Sequence, residues 1–245
     1  MTGRTAFGAL LAGLLLAGTA QAETVSVAVA ANFTAVAEEL ALIFRAQTGH
    51  AVTYSFGATG LLYAQISQGA PFDVFLAADT VRPEMTVVEG TGVAGTVFTY
   101  AVGALALYST SLDLSGGASV LEEGRFEKLA IADPQTAPYG RAAVQALAAL
   151  GLLDELTPRL VSGENVSQTL QFIETGNAEL GFVAASQVMG KRNVWMVPAA
   201  LYEPIEQDAV LLRNGENNPA AGAFMEFLRS DAAVAVLEAG GYLVE

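Results

Sequence analysis

Hydrogen-bond donors stand at four places in the sequence where a predicted strand ends and a predicted helix begins. These junctions are Asn32, Thr59-Gly60, Pro138-Tyr139-Gly140 and Asn165-Val166. Free backbone N–H groups at the start of a helix bind a small anion well, because the helix dipole favours negative charge there. Asparagine and threonine at such positions are also ordinary helix caps. Each junction alone is therefore weak, and it is the set of four that points to an anion site.

Composition excludes several other kinds of chemistry. The chain has 245 residues, with no cysteine and a single histidine, His50. Disulfides, thiolate catalysis and histidine-rich zinc sites are therefore excluded, and most nucleophile–base pairs are missing. With 25 acidic and 11 basic residues the formal net charge is −14, which argues against nucleic acid and anionic lipid as partners.

The N-terminal segment has the pattern of a cleavable signal peptide. Arg4 precedes a short apolar stretch over residues 7–18, and Ala20-Gln21-Ala22 matches a small-x-small cleavage site. We expect cleavage of residues 1–22 and export to the periplasm. The apolar stretch is too short to span a membrane, and no later stretch reaches the ~18 apolar residues that a span needs. The mature chain is therefore predicted not to insert into a membrane.

The rest of the sequence alternates between strand and helix patterns. Predicted strands over residues 23–31, 51–56 and 72–77 are each followed by a helix, which favours a parallel sheet. A long β-rich run over 97–108 then precedes a second α/β series that starts near residue 129. The fold class predicted is therefore α/β, with a mostly parallel sheet flanked by helices in each of two lobes.

The two lobes are expected to be discontinuous in sequence. Lobe 1 is predicted to contain residues 24–102 plus 203–245, and lobe 2 residues 103–202. Two strands crossing between the lobes would form a hinge, with a ligand cleft between the lobes. Since ligands bind at the carboxyl ends of strands in such sheets, the four junctions are expected to face this cleft, two from each lobe.

Several short segments, spread in order along the mature chain, form a recognisable set: 27–33 (VAVAANF), 55–65 (SFGATGLLYAQ), 69–79 (GAPFDVFLAAD), 132–134 (ADP), 138–140 (PYG), 163–166 (GENV), 176–183 (GNAELGFV) and 240–242 (GGY). No single segment is decisive, but the ordered set resembles the periplasmic molybdate-binding proteins of ABC transporters. This resemblance covers essentially the whole mature chain.

The resemblance implies a monomeric type II periplasmic binding protein that closes over molybdate or tungstate and delivers it to an ABC permease. The oxyanion would be held in a dry cleft by neutral donors. By the resemblance, Asn32 and Thr59 would each supply a backbone N–H and a side-chain donor, and Tyr139 and Val166 would each supply a backbone N–H. The resemblance also implies a binding protein and not an enzyme, with no resident cofactor and no direct ligand from the protein to the molybdenum.

The sequence departs from the family pattern at two positions. Thr59 replaces the commoner serine, which keeps the hydroxyl and adds a methyl group. Ala184 stands where some members place a tyrosine hydroxyl on the oxyanion, so one bond is lost unless Asn32 compensates for it. Asp133 and Glu164 lie in the same loops as the proposed donors. The sequence does not place either carboxylate relative to the site.

Three alternatives remain open from the sequence. The first is another ligand on the same scaffold, such as sulfate, phosphate, phosphonate or a small organic acid; Arg141 is the basic residue that adjoins a proposed donor. The second is a nucleotide-dependent enzyme, because Gly57-Ala58-Thr59-Gly60 resembles the start of a dinucleotide-binding loop and Asp79 follows about 20 residues later. The third is a secreted protein with a purely structural role.

Overall fold

The structure, a computed structural model, describes residues 22–244. The strands in this range are β1 (Thr24–Ala30), β2 (Ala51–Gly57), β3 (Val74–Leu76), β4 (Phe98–Gly103), β5 (Leu105–Ser109), β6 (Leu129–Ala132), β7 (Leu160–Gly163), β8 (Leu180–Ala184), β9 (Val194–Met196) and β10 (Ile205–Leu211). The signal peptide predicted for residues 1–22 lies outside the described residues, apart from its last residue.

The α-helices alternate with these strands along most of the chain. They are α1 (Thr34–Thr48), α2 (Thr59–Ser67), α3 (Val81–Val88), α4 (Ser119–Glu123), α5 (Pro138–Ala149), α6 (Leu153–Leu156), α7 (Val166–Glu174), α8 (Pro219–Phe227) and α9 (Asp231–Ala239). Short 3-10 turns join several of the elements, including one over Ala31–Phe33 directly before α1.

Two five-stranded sheets organise the chain and define two lobes. The first sheet has the order β2-β1-β3-β10-β4, and the second has the order β7-β6-β8-β5-β9. We call the units built on them lobe 1 and lobe 2. The α/β class and the two-lobed architecture are thus confirmed. The boundary residues of the lobes stay a prediction, although the strands of the first sheet lie within 24–103 and 205–211.

Each sheet is mixed, where a mostly parallel sheet was predicted. In lobe 1, β1 pairs in parallel with β2 and β3, whereas β10 is antiparallel to both β3 and β4. Lobe 2 repeats this arrangement, since β6 is parallel to β7 and β8, and β5 is antiparallel to β8 and β9. All of these antiparallel pairs involve β5 or β10, the first strand after each passage of the chain from one lobe to the other.

The long β-rich run over 97–108 proves to be two strands in two different sheets. β4 ends at Gly103 and β5 begins at Leu105, so the chain changes lobe at Ala104. The backbone N–H of Leu105 donates to the hydroxyl of Tyr202 at 3.0 Å, and the carbonyl of Ala104 accepts from Ala185 at 2.8 Å. The run was interpreted as one strand crossing between the lobes; the crossing is there, but bonds to Tyr202 and Ala185 at this point divide the run into two strands.

Each lobe is stabilised by its own apolar core. In lobe 1, aromatic side chains from α1 and α8, including Phe44 and Phe224, pack edge to face with their ring centroids 5.3 Å apart. The core of lobe 2 contains Leu105, Leu129 and Phe182 from its sheet. No helix within residues 22–244 is both long enough and apolar enough to cross a membrane.

Candidate functional site

Four loops meet where the carboxyl ends of parallel strands in the two lobes face each other. In lobe 1, Ala30 at the end of β1 lies opposite Gly57 at the end of β2. In lobe 2, Ala132 at the end of β6 lies opposite Gly163 at the end of β7. Parallel pairing brings the strand ends of each lobe side by side, so the loops that follow them are neighbours.

These loops enclose a small pocket between the lobes. It is smaller than a second cavity between the lobes, at about 10 Å³ against about 140 Å³ for the one that Arg141 lines. All four predicted site residues line this pocket, and none of them is more than 4% exposed. The remaining lining residues are mostly small: Ala30, Ala31, Gly57, Ala58, Ala78, Ala137, Pro138 and Asn165. The structure therefore brings the predicted residues together in one place.

The backbone N–H groups of the four site residues are all unpaired within residues 22–244. Thr59 and Val166 are the first residues of α2 and α7, where the N–H group has no partner inside the helix. Tyr139 follows Pro138, the first residue of α5, which carries no N–H group. Asn32 lies in the 3-10 turn before α1 and likewise has no partner for its N–H.

The cap of α7 leaves its first N–H group available. The side chain of Asn165 accepts hydrogen bonds from the N–H groups of Ser167 and Gln168, both at 3.0 Å. Capping thus satisfies the second and third N–H groups of the helix, and the N–H of Val166 is left at the pocket. The sequence interpretation of Asn165 as a helix-start residue is confirmed, and its role is to orient this turn.

The hydroxyl of Thr59 is arranged as a donor. Its oxygen accepts a hydrogen bond from the backbone N–H of Ala78 at 3.1 Å. A hydroxyl has one hydrogen, and this bond does not use it. Thr59 is 1% exposed and lines the pocket, so its hydrogen is available to a group bound there.

Asn32 does not have the local structure expected from the sequence. Helix α1 begins at Thr34 and no side chain caps it, so the interpretation of Asn32 as its N-cap is wrong. The side-chain nitrogen of Asn32 instead donates to the side-chain oxygen of Gln207 at 3.0 Å and to the hydroxyl of Tyr242 at 2.9 Å. Both amide hydrogens are therefore used inside the protein, and the backbone N–H is what Asn32 offers to the pocket.

No side chain among the residues that line the pocket carries a charge. Asp133 is half-buried and closes its own loop by accepting from the N–H of Gln135 at 2.9 Å. Glu164 is exposed at the surface. Neither carboxylate is part of the pocket wall, which places the two acidic residues whose positions the sequence left open.

Two arginines lie near the pocket, and neither lines it. Arg82 forms an ion pair with Asp79 and donates across the cleft to the carbonyl of Gln135 at 3.1 Å. Arg141, the basic residue singled out from the sequence, is exposed and lines a separate cavity of about 140 Å³ on the other side of Pro138. The pocket therefore has no side-chain cation in its wall.

Direct hydrogen bonds hold the two lobes together around the pocket. The N–H of Gly60 in lobe 1 donates to the carbonyl of Thr136 in lobe 2 at 2.8 Å. The hydroxyl of Ser167 in lobe 2 donates to the carbonyl of Ala31 in lobe 1 at 3.0 Å. A Cβ on Gly60 would lie 3.0 Å from the Thr136 backbone, a tight contact, so the close approach of the lobes favours glycine here.

Contacts at the cleft use the residues that a dinucleotide-binding loop would need for its ligand. The N–H of Gly60 is bonded to Thr136, and Asp79, which would have to bind a ribose, is paired with Arg82.

Ala184 stands where the resemblance would allow a tyrosine donor. Its side chain is fully buried and does not line the pocket.

Two buried residues behind the pocket were assigned no role from the sequence. Gln207 on β10 is fully buried and contacts Asn32, Tyr100 and Tyr139. The hydroxyl of Tyr242 donates to the carbonyl of Asn32 at 2.9 Å. Burial raises the pKa of Tyr242 to about 12 and raises that of Tyr139 well above its usual value, so both rings stay neutral at physiological pH. Gln207 and Tyr242 lie far from Asn32 in sequence. Tyr242 belongs to the segment 240–242 of the resemblance, which gave it no role, and no local pattern marks Gln207.

Comparison with known proteins identifies the class to which this fold and pocket belong. The family model for bacterial extracellular solute-binding proteins matches residues 25–243, and the chain belongs to this family. The chain is 48% identical to the molybdate-binding protein ModA of Rhodobacter capsulatus, with 97% of this chain and 94% of the relative covered. It is 52% identical to the molybdate-binding protein ModA of Azotobacter vinelandii, with 96% and 95% covered.

Solved structures agree with this assignment. The periplasmic molybdate-binding protein of Azotobacter vinelandii superposes with a TM-score of 0.86 at 40% identity, covering 90% of this chain and 99% of that one. The sulfate-binding protein SubI of Mycobacterium tuberculosis superposes at 0.75 with 11% identity, over 91% and 87% of the two chains, which shows a shared fold only. Because the close relatives are binding proteins, the prediction of a binding protein over an enzyme is confirmed.

Proposed function

We propose that this protein binds molybdate in the pocket between its lobes and delivers it to an ABC permease. Two relatives at 48% and 52% identity are named as molybdate-binding proteins, and the alignments cover nearly the whole chain. Tungstate has the same shape and charge as molybdate, so we propose that it binds in the same way. The ligand is cargo in this proposal and not a cofactor.

The observation that carries the proposal is the chemistry of the pocket wall. Four unpaired backbone N–H groups and one free hydroxyl hydrogen meet in a buried space lined by no charged side chain. Molybdate is a dianion at neutral pH and accepts hydrogen bonds without donating any. A carboxylate in the wall would instead favour a protonated ligand such as hydrogen phosphate, because it could accept the ligand's proton.

The proposed donors are divided between the lobes. Asn32 and Thr59 of lobe 1 would each give a backbone N–H, with the Thr59 hydroxyl as an additional donor, and Tyr139 and Val166 of lobe 2 would each give a backbone N–H. Bonds from neutral donors to a charged group contribute about 1.5–3 kcal/mol each. Five such bonds, less the costs of desolvation and lobe closure, are compatible with a micromolar or tighter dissociation constant.

Short-range dipoles must do this work against the overall field of the molecule. The net charge of −14 repels a dianion at long range. Three of the four donor loops open an α-helix of nine or more residues, and the positive end of each helix dipole lies at the pocket.

The cellular location and the export of the protein are part of the same proposal. We propose that residues 1–22 are removed as a signal peptide and that the mature chain works as a monomer in the periplasm. The periplasmic location is supported by the solved relative from Azotobacter vinelandii, which is a periplasmic molybdate-binding protein.

Calorimetric titration of the purified protein with molybdate, tungstate, sulfate and phosphate tests the proposal. We expect molybdate and tungstate to bind with similar, micromolar or tighter dissociation constants and sulfate and phosphate to bind at least about 100-fold more weakly. Tight binding of sulfate or phosphate with weak binding of molybdate would contradict the proposal and favour another oxyanion on this scaffold.

A further inference from the structure

The side chain of Tyr139 reaches from the pocket to the place where the chain changes lobe. Its backbone N–H lies at the start of α5, facing the pocket, whereas its hydroxyl accepts a hydrogen bond from the side-chain nitrogen of Gln207 at 3.3 Å. A Cβ on Gly103 would lie 2.1 Å from that hydroxyl oxygen. Gly103 is the last residue of β4, directly before the chain crosses into lobe 2.

Gln207 lies on β10, the strand by which the chain has returned to lobe 1. Its side-chain oxygen accepts from the side-chain nitrogen of Asn32 at 3.0 Å and from the hydroxyl of Tyr100 at 3.1 Å. The pairing of β10 with β4 shifts register between Gln207 and Asp208, a bulge that re-aims the side chains of the strand. A single fully buried amide therefore contacts a donor loop of lobe 1 and a donor residue of lobe 2.

We propose that Gln207 is a positioning residue that couples closure of the lobes to the geometry of the anion pocket, through its bond with the Tyr139 hydroxyl beside Gly103. When the lobes meet, this bond fixes the Tyr139 ring, and with it the N–H that α5 presents to the ligand. The same amide fixes Asn32, whose N–H faces the pocket from the other lobe. The inference rests on the proposed function, because it assigns these two residues to the same binding site.

The arrangement has a specific kinetic consequence. The Gln207–Tyr139 bond joins residues of the two lobes in the arrangement seen here, and the proposal assigns it to the closed state of the cleft. Its loss should allow the lobes to reopen faster and release ligand sooner, while the initial encounter with an open cleft is unchanged. If the role of Gln207 were purely structural, its replacement would lower the unfolding free energy without raising the release rate selectively over the association rate.

Stopped-flow kinetics with molybdate on the full protein test the proposal through a double-mutant cycle. Tyr139→Phe removes only the hydroxyl and keeps the backbone N–H, and Gln207→Met removes the amide with little change in length. We expect each variant to release molybdate about 5- to 10-fold faster than the wild type, with the association rate unchanged. The double variant should release it no faster than Gln207→Met alone, because Gln207→Met already removes the bond that Tyr139→Phe removes, together with the bonds to Asn32 and Tyr100.

Tyr54→Phe is the matched control. The hydroxyl of Tyr54 donates to the carbonyl of Ala37 at 2.8 Å within lobe 1, away from the pocket. This variant loses a tyrosine hydrogen bond and should keep both rates. Fully additive effects of Tyr139→Phe and Gln207→Met, or a wild-type release rate in Tyr139→Phe, would overturn the proposal. Tyr139→Phe decides the matter alone if Gln207→Met does not fold.

The proposal can fail separately from the proposed function. Wild-type protein that binds molybdate, combined with an additive cycle, removes only the positioning role of Gln207. Wild-type protein that does not bind molybdate removes the proposed function. Urea unfolding without ligand of the wild type, the two single variants and the double variant then tests the Gln207–Tyr139 contact itself. Losses of unfolding free energy that are less than additive in the double variant support the contact, and additive losses refute it.

Discussion

The hydroxyl oxygen of Thr59 accepts a hydrogen bond from the backbone N–H of Ala78, with 3.1 Å between the two atoms. This bond ties the start of α2 to the end of β3 and leaves the hydroxyl hydrogen as a donor at the pocket. The threonine that replaces the commoner serine thus keeps the chemistry that the site needs. Its additional methyl group is accommodated in a buried position.

Replacing Thr59 tests this donor. Thr59→Val keeps the shape and removes the hydroxyl, so we expect molybdate binding to weaken by about 1–3 kcal/mol. Thr59→Ser keeps the hydroxyl and should bind within about threefold of the wild type. Calorimetry on the two variants measures the contrast, and a valine variant that binds as tightly as the serine variant would exclude the hydroxyl as a donor.

Asn32 is expected to affect stability as well as binding. Asn32→Ala removes one hydrogen bond to the side-chain oxygen of Gln207 and one to the hydroxyl of Tyr242. Because Gln207 keeps the Tyr100 hydroxyl as a donor and Tyr242 keeps its bond to the Asn32 carbonyl, each lost bond should cost about 0.5–1.5 kcal/mol of unfolding free energy. Molybdate binding should also weaken, by about 1–3 kcal/mol, because the loop that carries the Asn32 N–H is released. Urea unfolding and calorimetry on the same variant measure both effects.

The two effects in Asn32→Ala distinguish the roles of its side chain. If affinity fell while stability stayed at the wild-type value, the amide would be donating to the ligand and the internal network would carry no energy. Asn32→Asp provides a further comparison. A carboxylate cannot donate to Gln207 and would place negative charge beside a dianion, so binding should be lost.

Closure of the lobes is tested at Gly60. A Cβ there would lie 3.0 Å from the Thr136 backbone and 2.9 Å from a guanidinium nitrogen of Arg82. Gly60→Ala should therefore hold the lobes apart and weaken molybdate binding by at least about tenfold. Small-angle scattering in saturating molybdate should show a more open particle than the wild type.

Gly222→Ala is the control for the glycine change. Gly222 lies in α8 with no atom within 4 Å of a Cβ placed on it, so alanine meets no obstacle. The helix should be stabilised by about 0.5–1 kcal/mol with molybdate affinity unchanged. Tight binding by Gly60→Ala in a compact particle would show that close contact at Thr136 is not needed for closure.

A pH-dependent contribution to stability is expected from Asp208. Burial raises the pKa of its carboxyl, with smaller contributions from Glu206, Glu84 and Asp79, although the Thr99 hydroxyl donates to it. A raised carboxyl pKa means that the charged form destabilises the folded state. Asp208→Asn should therefore increase unfolding free energy at pH 7. The gain should shrink as pH falls through the folded pKa and vanish below the unfolded value of about 3.9.

Thermal unfolding across this pH range measures the change, with Asp113→Asn as its control. The pKa of Asp113 is lowered by hydrogen bonds from Ser115, so removal of its charge should not increase stability at pH 7. A gain in Asp208→Asn that persists unchanged at low pH would show that burial of charge is not its cause.

The sequence predicted the parts of this structure that depend on neighbouring residues. Strand–helix alternation predicted the two α/β lobes, and helix-start chemistry located the four loops that meet at the pocket. The sequence also predicts a helix that begins at Asn218-Pro219 and a last helix capped by Asp231. The first is confirmed, since the Asn218 side chain accepts from the N–H of Ala220. The second cap is wrong by one residue, because Ser230 accepts from the N–H of Ala233.

The parts that could not be predicted depend on contacts between distant segments. The Asn32 amide bonds to Gln207, 175 residues away, and to Tyr242, 210 residues away. Nothing in the sequence near Asn32 distinguishes such a network from a helix cap. The lobe boundary predicted at 102/103 lies close to the crossing at Ala104, but the division of the β-rich run into two strands there was not predicted, since it is fixed by bonds to residues of other segments.

A crystal structure of the protein with molybdate, with the metal located by its anomalous scattering, tests the central claim most directly. We expect one molybdate between the lobes, with its oxygens within hydrogen-bond distance of the N–H groups of Asn32, Thr59, Tyr139 and Val166. No carboxylate, lysine or arginine should contact it. Molybdate bound instead in the cavity beside Arg141, or held by a charged side chain, would contradict the account.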